Sequence, residues 1–346
     1  MFQDIALDEW MKLRENGELT TIDVRSPSEF KEATIPGSLN IPFFNDEERA
    51  EIGTIYKQVS VEAAKERGLE IVSGKLPSFI KQFAGLAGKK AVFCWRGGMR
   101  SRTTATVLSL MDIHVYRITG GYRAYRQWVV EQLQSMDFAP SAVVLHGNTG
   151  TGKTAILRRL EEKGAPVLDL EAMAGHRGSI FGEIGLNSHN QKMFDALLME
   201  KLLAYRQAPY VLLEAESRRI GKAVLPDLIM RKKETGLHIR IELPIEERVR
   251  QIIGDYRPWE HPDACKSAFK RIKDRIHTPV AAEIESCLNQ DKYERAVELL
   301  LSYYYDPKYS HASSQYCEQP AHVIRADSVD EAAAAVESIL AQAKYK

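Results

Sequence analysis

The chain has 346 residues, of which 44% are hydrophobic and 27% are charged, and its 47 basic side chains are balanced by 47 acidic ones. This composition is typical of a globular protein of about two domains, and it excludes a disordered chain and a uniformly basic nucleic-acid binder. No apolar run of the sequence is long enough to cross a bilayer.

The first 130 residues alternate between strand-like and helix-like segments. Strands are predicted at residues 20–25, 38–43, 89–95 and 114–119, and helices at 26–33, 100–113 and 122–133. This alternation predicts an α/β domain with a parallel sheet. We place this domain at residues 1–133 and a polar, proline-containing linker at 134–141.

The second half of the chain restarts the same alternation, and we assign residues 142–346 to a second α/β domain. Its predicted strands are 142–146, 166–171, 210–217, 237–244 and 321–326, and its first two helices are 153–164 and 190–207. Residues 245–306 have a helical pattern throughout and predict a helical extension. Ser328 and Glu331 have the spacing of a capping box before a final helix.

A cysteine ends one of the predicted strands of the first domain. Cys94 is followed by a loop that leads into a helix, with the residues Trp95, Arg96, Gly97, Gly98, Met99 and Arg100. The helix N-terminus and the two arginines favour a thiolate, and the loop suits a tetrahedral anion or sulfur carried on sulfur. A buried structural cysteine is the alternative interpretation.

The motifs around this loop resemble those of the rhodanese family over the whole first domain. They are Asp23-Val24-Arg25 with Glu29-Phe30, the segment 35–42, and Gly120-Gly121 before Tyr122 and Tyr125. Ala33-Thr34 stand where the family often has Gly-His. The resemblance implies that Cys94 moves sulfur or selenium through a persulfide or selenosulfide. Some relatives with a Cys-x5-Arg loop are phosphatases, which is an alternative function.

A phosphate-binding loop opens the second domain. The pattern G-x-x-x-x-G-K-T is formed by Gly147, Asn148, Thr149, Gly150, Thr151, Gly152, Lys153 and Thr154. It follows a predicted strand and opens a helix, which is the context in which such a loop binds a diphosphate. Lys153 supplies a positive charge and Thr154 could hold Mg²⁺, and the ligand need not be ATP.

Further candidate contacts follow the later strands of the second domain. Carboxylates that could organise a metal ion are Asp169, Glu214 and Glu216, and candidate substrate contacts are His176, Arg177 and Arg218. Each of them could equally be an ordinary strand-end or surface residue. We therefore predict no certain metal site and no tightly bound cofactor.

Charge is distributed unevenly along the chain. Residues 71–126 contain ten basic side chains and one acidic one, and residues 218–275 contain 15 basic and nine acidic ones. These segments predict faces for anionic partners, although solvated surfaces would give the same pattern. The four cysteines (94, 265, 287 and 317) have no metal-binding spacing, which predicts a reduced cytoplasmic protein, and the acidic start of the chain predicts no signal peptide.

The combination of the two motifs resembles the tRNA 2-selenouridine synthase family. CWRGGMRS (94–101) and GNTGTGKT (147–154) match it, as do segments 176–185, 216–221 and 303–309. The resemblance implies a bacterial enzyme that geranylates the sulfur of wobble 2-thiouridine with geranyl diphosphate and then introduces selenium from selenophosphate. It also implies binding of the tRNA anticodon region, with selenophosphate synthetase as a partner.

On this interpretation Cys94 is the chalcogen-carrying nucleophile, Arg96 and Arg100 bind the anion, and residues 147–154 bind the prenyl diphosphate. Whether Cys94 carries selenium covalently or only polarises the donor is left open. The main alternative is an ATP-dependent sulfurtransferase or kinase fused to a rhodanese domain. A non-catalytic tRNA-binding protein would need neither Cys94 nor an intact GKT sequence.

Overall fold

The computed structural model describes residues 2–308 and 322–342. They form two compact units, the first ending at Leu133 and the second beginning at Gln134, and residues 195–197 group with the first unit. Cys317, Ala321 of the predicted strand 321–326 and Tyr309 of the segment 303–309 lie outside the described residues.

The first unit is built on a five-stranded parallel sheet. Its strands are β1 (Gln3–Ile5), β2 (Leu19–Asp23), β3 (Leu39–Asn40), β4 (Lys89–Phe93) and β5 (Tyr116–Ile118). Its helices are α1 (Leu7–Glu15), α2 (Pro27–Glu32), α3 (Asp46–Gln58), α4 (Val61–Ala84), α5 (Met99–Leu110) and α6 (Gly121–Ser135). The strand order is β1-β5-β4-β2-β3, so the strand that precedes Cys94 lies at the centre of the sheet.

Helices α3 and α4 cover part of this sheet, and the sequence pattern did not predict them. Asn45 caps α3, since its side chain accepts from the N–H of Glu48 at 2.8 Å and the Glu48 carboxylate accepts from the N–H of Asn45 at 2.8 Å. Phe79 and Phe83 of α4 pack with Val92 of the central strand in the core. Cys94 belongs to the same buried cluster.

The second unit contains another five-stranded parallel sheet. Its strands are β6 (Ser141–His146), β7 (Val167–Leu168), β8 (Tyr210–Glu214), β11 (Leu237–Glu242) and β12 (His322–Arg325), and β9 (Arg219–Ile220) pairs antiparallel with β10 (Ala223–Val224). The helices are α7 (Lys153–Glu162), α8 (Leu170–Ala174), α9 (Gln191–Ala204), α10 (Asp227–Thr235), α11 (Ile245–Tyr256), α12 (Pro262–Lys270), α13 (Thr278–Asn289), α14 (Tyr293–Leu300) and α15 (Val329–Gln342). The strand order β12-β11-β6-β8-β7 places β6, which leads into the phosphate-binding loop, in the middle.

The apolar sequence of β6 suits its central position in the sheet. Ala142, Val143, Val144 and Leu145 are all buried, as expected for a parallel strand covered on both faces. Helices α7 and α15 contribute Ile156, Leu160 and Val336 to the same core. Ser328 caps α15 by accepting from the N–H of Glu331 at 3.2 Å. These two parallel sheets confirm the predicted α/β fold class.

The predicted helical extension corresponds to α11–α14, joined by short 3-10 helices at Pro258–Glu260 and Lys273–Arg275 and followed by a π-helical turn at Leu301–Tyr305. The predicted strand 166–171 is wrong in its second half, since β7 ends at Leu168. Asp169 caps α8 instead, because its Oδ1 accepts from the N–H of Ala172 at 2.8 Å. The consequence is that Glu171 lies in a helix.

No helix in the described part of the chain combines the length and the hydropathy that crossing a membrane requires.

Candidate active site

The first candidate site is the loop between β4 and α5. Cys94 is buried, and its Sγ lies 3.2 Å from the hydroxyl oxygen of Ser101 in the first turn of α5. The cysteine carbonyl accepts from the N–H of Tyr122 at 2.9 Å, and the Trp95 carbonyl accepts from the N–H of Arg123 at 2.9 Å. The loop is therefore fixed at the end of the sheet by the start of α6.

The backbone of this loop offers donors to an anion. Among the described residues, no backbone hydrogen bond uses the N–H groups of Arg96, Gly97, Gly98 or Met99. Gly97 has φ +63°, and a Cβ there would lie 2.9 Å from the N atom of Gly120, so only glycine fits without distortion. Free N–H groups that converge at a helix N-terminus can bind a tetrahedral oxyanion.

The two arginines of the loop lie in different environments. Arg100 forms a two-pronged ion pair with Glu29, with N–O distances of 2.5 and 3.1 Å. The Arg96 side chain is exposed and has no ion-pair partner among the described residues. Arg96 is therefore available to an incoming anion, whereas Arg100 would have to leave Glu29 or act together with it.

A buried ion pair supports the loop from the neighbouring strand. Arg25 binds Asp23 at 2.6 Å, and its guanidinium lies 4.3 Å from the ring centroid of Tyr122, whose N–H holds the Cys94 carbonyl. The hydroxyl of Thr34 donates to Asp23 at 2.9 Å. The threonine that replaces the family's usual histidine thus belongs to this scaffold, and it lies outside the cysteine loop.

The second candidate site is the phosphate-binding loop between β6 and α7. Among the described residues, the N–H groups of Asn148, Thr149, Gly150 and Gly152 donate no backbone hydrogen bond. The ammonium group of Lys153 folds back over the loop and donates to the carbonyl of Gly147 at 2.9 Å. These are the donors that a diphosphate would take over.

An ion pair of the helical extension forms hydrogen bonds with the phosphate-binding loop. The buried Arg248 of α11 donates through Nε to the Thr149 carbonyl at 2.9 Å and binds the carboxylate of Asp306 at 2.6 and 2.9 Å. Asp306 also accepts from the side-chain amide of Asn148 at 3.0 Å. The two charged residues lie 58 positions apart, so sequence spacing did not reveal the pair, although Asp306 falls within the segment 303–309.

Three carboxylates gather beside Thr154. Oxygen atoms of Glu171, Glu214 and Glu216 lie within 4.8 Å of one another. The hydroxyl of Thr154 donates to Glu214 at 2.6 Å and lies 3.4 Å from a carboxylate oxygen of Glu171. Carboxylate and hydroxyl oxygens next to a phosphate-binding loop form the donor set that Mg²⁺ takes, so these residues fit the ion.

Electrostatics supports this interpretation of the cluster. Burial raises the pKa of Glu214, and the neighbouring Glu216 raises it further. Burial also raises the pKa of Glu171, with Glu214 as the next cause. Each of these causes opposes the deprotonated form of the carboxylates. A divalent cation would supply the missing positive charge.

The sequence-predicted residues only partly coincide with this cluster. Glu214 and Glu216 belong to it, and Asp169 caps α8 instead. Glu171 is not among the carboxylates predicted from the sequence, because the pattern of residues 166–171 predicts a strand, whereas the structure has a helix from Leu170 onward. Its signal is an aspartate at a helix start that is followed two residues later by a second carboxylate.

The loop 176–179 lies next to the carboxylates. The N–H of His176 donates to the Glu171 carbonyl at 3.1 Å, and burial lowers the pKa of its imidazole. Arg177 donates to the carbonyls of Ile184 and Asp255 at 2.8 and 2.7 Å. Arg218 is exposed and pairs with Asp227 at 2.7 Å. His176 is therefore near the site, whereas Arg177 and Arg218 are engaged in local contacts.

Much of the uneven charge is compensated within each unit. Lys75, Lys89, Arg100 and Arg117 of the basic segment 71–126 pair with acidic residues of the first 70 positions. Within the described segment 71–126, the exposed arginines without an ion pair are Arg96, Arg102 and Arg123, in the cysteine loop, α5 and α6. The positively charged surface of the first unit is thus smaller than the sum of charges over residues 71–126 predicts.

Comparison with known proteins gives matches in both units. Residues 6–127 match the rhodanese-like domain model, and residues 140–278 match that of the tRNA 2-selenouridine synthase AAA domain. The tRNA 2-selenouridine synthase of Nitrosomonas europaea is 33% identical over 86% of this chain and 79% of its own. That of Bdellovibrio bacteriovorus is 31% identical over 83% and 87%. Among solved structures, a rhodanese-related protein from Thermoplasma volcanium covers 36% of this chain and 92% of its own, with 19% identity and a TM-score of 0.24.

Proposed function

Because the chain belongs to the tRNA 2-selenouridine synthase family, we propose that it replaces the sulfur of wobble 2-thiouridine in tRNA by selenium in two successive steps. The observation that supports the proposal is a pair of chemically different loops, each with backbone N–H groups that could bind an anion. One is the thiol-bearing loop 94–100 and the other is the phosphate-binding loop 147–154. Two sites of this kind suit two donors that are both phosphate compounds.

The first step is S-geranylation at the phosphate-binding loop. The 2-sulfur of the thiouridine attacks C1 of geranyl diphosphate, the C1–O bond breaks, and diphosphate leaves with the bonding electron pair. The uridine loses its N3 proton, so the product is neutral S-geranyl-2-thiouridine. Loop N–H groups and Lys153, released from the Gly147 carbonyl, would stabilise the charge that develops on the leaving diphosphate.

A magnesium ion fits this step. Glu171, Glu214 and Glu216, with the hydroxyl of Thr154, would hold it beside the loop. When bound, the ion would neutralise charge on the diphosphate oxygens. The hydrogen bond from Thr154 orients Glu214 toward this position.

The second step replaces the alkylated sulfur by selenium. Alkylation turns the sulfur into a better leaving group. We propose that the Cys94 thiolate attacks the phosphorus of selenophosphate, which breaks the P–Se bond and releases hydroselenide. Hydroselenide adds to C2 of the base, geranylthiolate leaves and takes up a proton, and water hydrolyses the phosphocysteine to phosphate. Overall, selenophosphate and one water give selenouridine, geranylthiol and phosphate without an oxidant or reductant.

Electron balance favours this route over selenium carried on Cys94. Selenium in selenophosphate is fully reduced, so forming a selenosulfide on Cys94 would remove two electrons and would need an oxidant. Attack at phosphorus uses the same cradle of N–H groups, since the phosphoryl group is tetrahedral. Ser101, 3.2 Å from Sγ, can donate a hydrogen bond to the thiolate.

The tRNA would bind to the first unit through the exposed Arg96, Arg102 and Arg123. Arg96 belongs to the cysteine loop, and the N–H groups of the other two donate to the loop carbonyls of Gly98 and Trp95. Guanidinium groups pair with the phosphates of an anticodon loop, whose unpaired bases can be turned outward. We also propose that the enzyme acts in the cytoplasm and that selenophosphate synthetase supplies the selenium donor.

A second candidate is an ATP-dependent sulfurtransferase or kinase. It is favoured by Glu214, which ends the strand next to β6 and binds Thr154, as the metal-organising carboxylate of many nucleoside triphosphatases does. Incubation with thiolated tRNA and either geranyl diphosphate or ATP separates the two functions. We expect S-geranyl-2-thiouridine by nucleoside mass spectrometry with geranyl diphosphate alone. ATP hydrolysis stimulated by tRNA, without any geranylated nucleoside, would establish the alternative.

A further inference from the structure

An apolar pocket lies inside the helical extension of the second unit. Its walls come from α11 to α14 and the turn that follows them, and side chains such as Ile252, Leu288, Ala296 and Leu300 line it. Neither step described above assigns a role to this pocket.

One wall of the pocket is part of the phosphate-binding loop. Thr149 lines the pocket, and its carbonyl is held by Arg248 at 2.9 Å. Ile252, one turn further along α11, packs so closely on Gly150 that a Cβ at this glycine would lie 2.9 Å from the isoleucine Cδ1. The pocket therefore begins where the backbone donors of the loop end.

Two lining residues connect the pocket to the loop beside the carboxylates. They are Ser179 and Tyr256, whose hydroxyl groups lie 3.0 Å apart. Ser179 belongs to the loop 176–179, whose first residue donates its N–H to the Glu171 carbonyl. The pocket thus lies between the phosphate-binding loop and the loop beside the carboxylates, and the rest of its lining is almost entirely apolar.

We infer that this pocket binds the hydrocarbon chain of the diphosphate donor and selects its length, an inference that rests on the proposed prenyl transfer. A ligand with its diphosphate on the loop and a ribose and base in this pocket would leave several polar groups without partners. An isoprenoid chain has no polar groups that would lose hydrogen bonds to water there. Each methylene group that it buries increases affinity roughly fourfold.

Ala296 and Leu300 of α14 are the positions that set the available length. Both are buried and both line the pocket. Ala296→Leu fills part of the space, and Leu300→Ala enlarges it. Ala281 of α13 is a matched control, because it is a buried alanine of the same helical core that does not line the pocket.

The test measures binding and transfer separately in the full-length protein. Calorimetry gives the affinities of inorganic diphosphate and of the dimethylallyl, geranyl and farnesyl diphosphates. A competition of the three prenyl donors on thiolated tRNA gives the ratios of S-alkylated nucleosides by mass spectrometry. Thermal melting first establishes that each variant is folded.

In the wild type we expect geranyl diphosphate to bind at least tenfold more tightly than inorganic diphosphate. Ala296→Leu should lower geranyl binding and transfer at least tenfold relative to dimethylallyl, and Leu300→Ala should raise the farnesyl-to-geranyl ratio at least tenfold. Ala281→Leu should leave both ratios as they are. Inorganic diphosphate should bind equally to all four proteins.

The inference would be overturned if each folded pocket variant changed binding and transfer by the same factor for all three prenyl diphosphates. So would a wild-type affinity for geranyl diphosphate no higher than that for inorganic diphosphate. Chain-dependent binding without transfer to tRNA would contradict the proposed function and leave the pocket assignment intact. Geranyl transfer with product ratios that the pocket variants do not change would contradict the pocket assignment and leave the proposed function intact.

Discussion

The hydroxyl of Thr154 donates a hydrogen bond to the carboxylate of Glu214 across 2.6 Å, although the two residues are 60 positions apart. Thr154 lies in the first turn of α7 and Glu214 ends β8, the strand beside β6. The parallel sheet brings both residues to the same edge, because the carboxyl ends of its strands point the same way. The phosphate-binding loop is thereby joined to a buried carboxylate.

Replacing Lys153 by alanine should suppress geranylation. Its ammonium group is the cation of the loop that can follow the leaving diphosphate, and loss of one such donor lowers a rate by about 10²–10³. The initial rate of S-geranyl nucleoside formation measures the effect. Lys163→Ala, at the far end of α7, removes an exposed lysine paired with Glu337 and should leave the rate unchanged. An unchanged rate in Lys153→Ala would contradict the assignment of this loop to the diphosphate of the prenyl donor.

Replacing Cys94 by alanine should abolish selenation and let geranylated tRNA accumulate. The thiol is the nucleophile of the second step and lies in a different unit from the phosphate-binding loop. Nucleoside mass spectrometry distinguishes the two products, and Cys287→Ala, which removes a buried thiol of the second unit, serves as the control. Loss of both activities in Cys94→Ala would contradict the division of labour.

Attack of Cys94 at phosphorus predicts a covalent intermediate that mass spectrometry can detect. In wild-type protein quenched during turnover, intact-mass analysis should find a phosphate adduct that Cys94→Ala lacks. An adduct that contains selenium would instead establish selenium carriage on the thiol and refute attack at phosphorus.

Magnesium binding should strengthen as pH rises from 6 to 8. Burial and neighbouring carboxylates raise the pKa values of Glu214 and Glu171, so the folded protein retains protons that the ion must displace. Calorimetry in buffers of different ionisation enthalpy measures this proton release. Glu214→Gln should reduce both affinity and proton release, whereas Glu242→Gln, a partly exposed glutamate paired with Arg325, should change neither. A pH-independent affinity would exclude these carboxylates as ligands.

The same groups fix the sign of a stability effect. A carboxyl group whose pKa is raised in the folded state binds more protons there than in the unfolded chain. Its contribution to stability is therefore lost as pH rises from the unfolded value of about 4.5 through the folded one. Chemical denaturation of Glu214→Gln should show a weaker decline over this range than the wild type does.

Breaking the pair of Arg248 and Asp306 should loosen the phosphate-binding loop. Asp306→Asn leaves the buried guanidinium without its counter-charge, which should cost about 1–3 kcal/mol of unfolding free energy. The affinity for geranyl diphosphate should fall as well, because Arg248 holds the Thr149 carbonyl. Denaturant titration and calorimetry measure the two effects, with Arg257→Lys in an exposed pair as the control. Full stability together with full affinity would exclude a positioning role.

Local patterns in the sequence were sufficient for the architecture and for the positions of the two motifs. Alternating strands and helices predicted both parallel sheets, and the strands before Cys94 and Gly147 are central in them. Two local signals were missed, the caps at Asn45 and Asp169 that start α3 and α8. Other misses depend on contacts between distant segments, since Arg248 meets Asp306 across the helical extension. Charge sums over the segment 71–126 likewise overlooked acidic partners from the first 70 residues.

The central claim is that two separate anion sites act in sequence on one base. The most direct test supplies purified S-geranylated tRNA and selenophosphate to Lys153→Ala and follows selenouridine by mass spectrometry. The account predicts conversion at the wild-type rate, because the impaired loop is needed only for the first step. Failure of this variant to convert the geranylated tRNA, while the wild type converts it, would contradict the account.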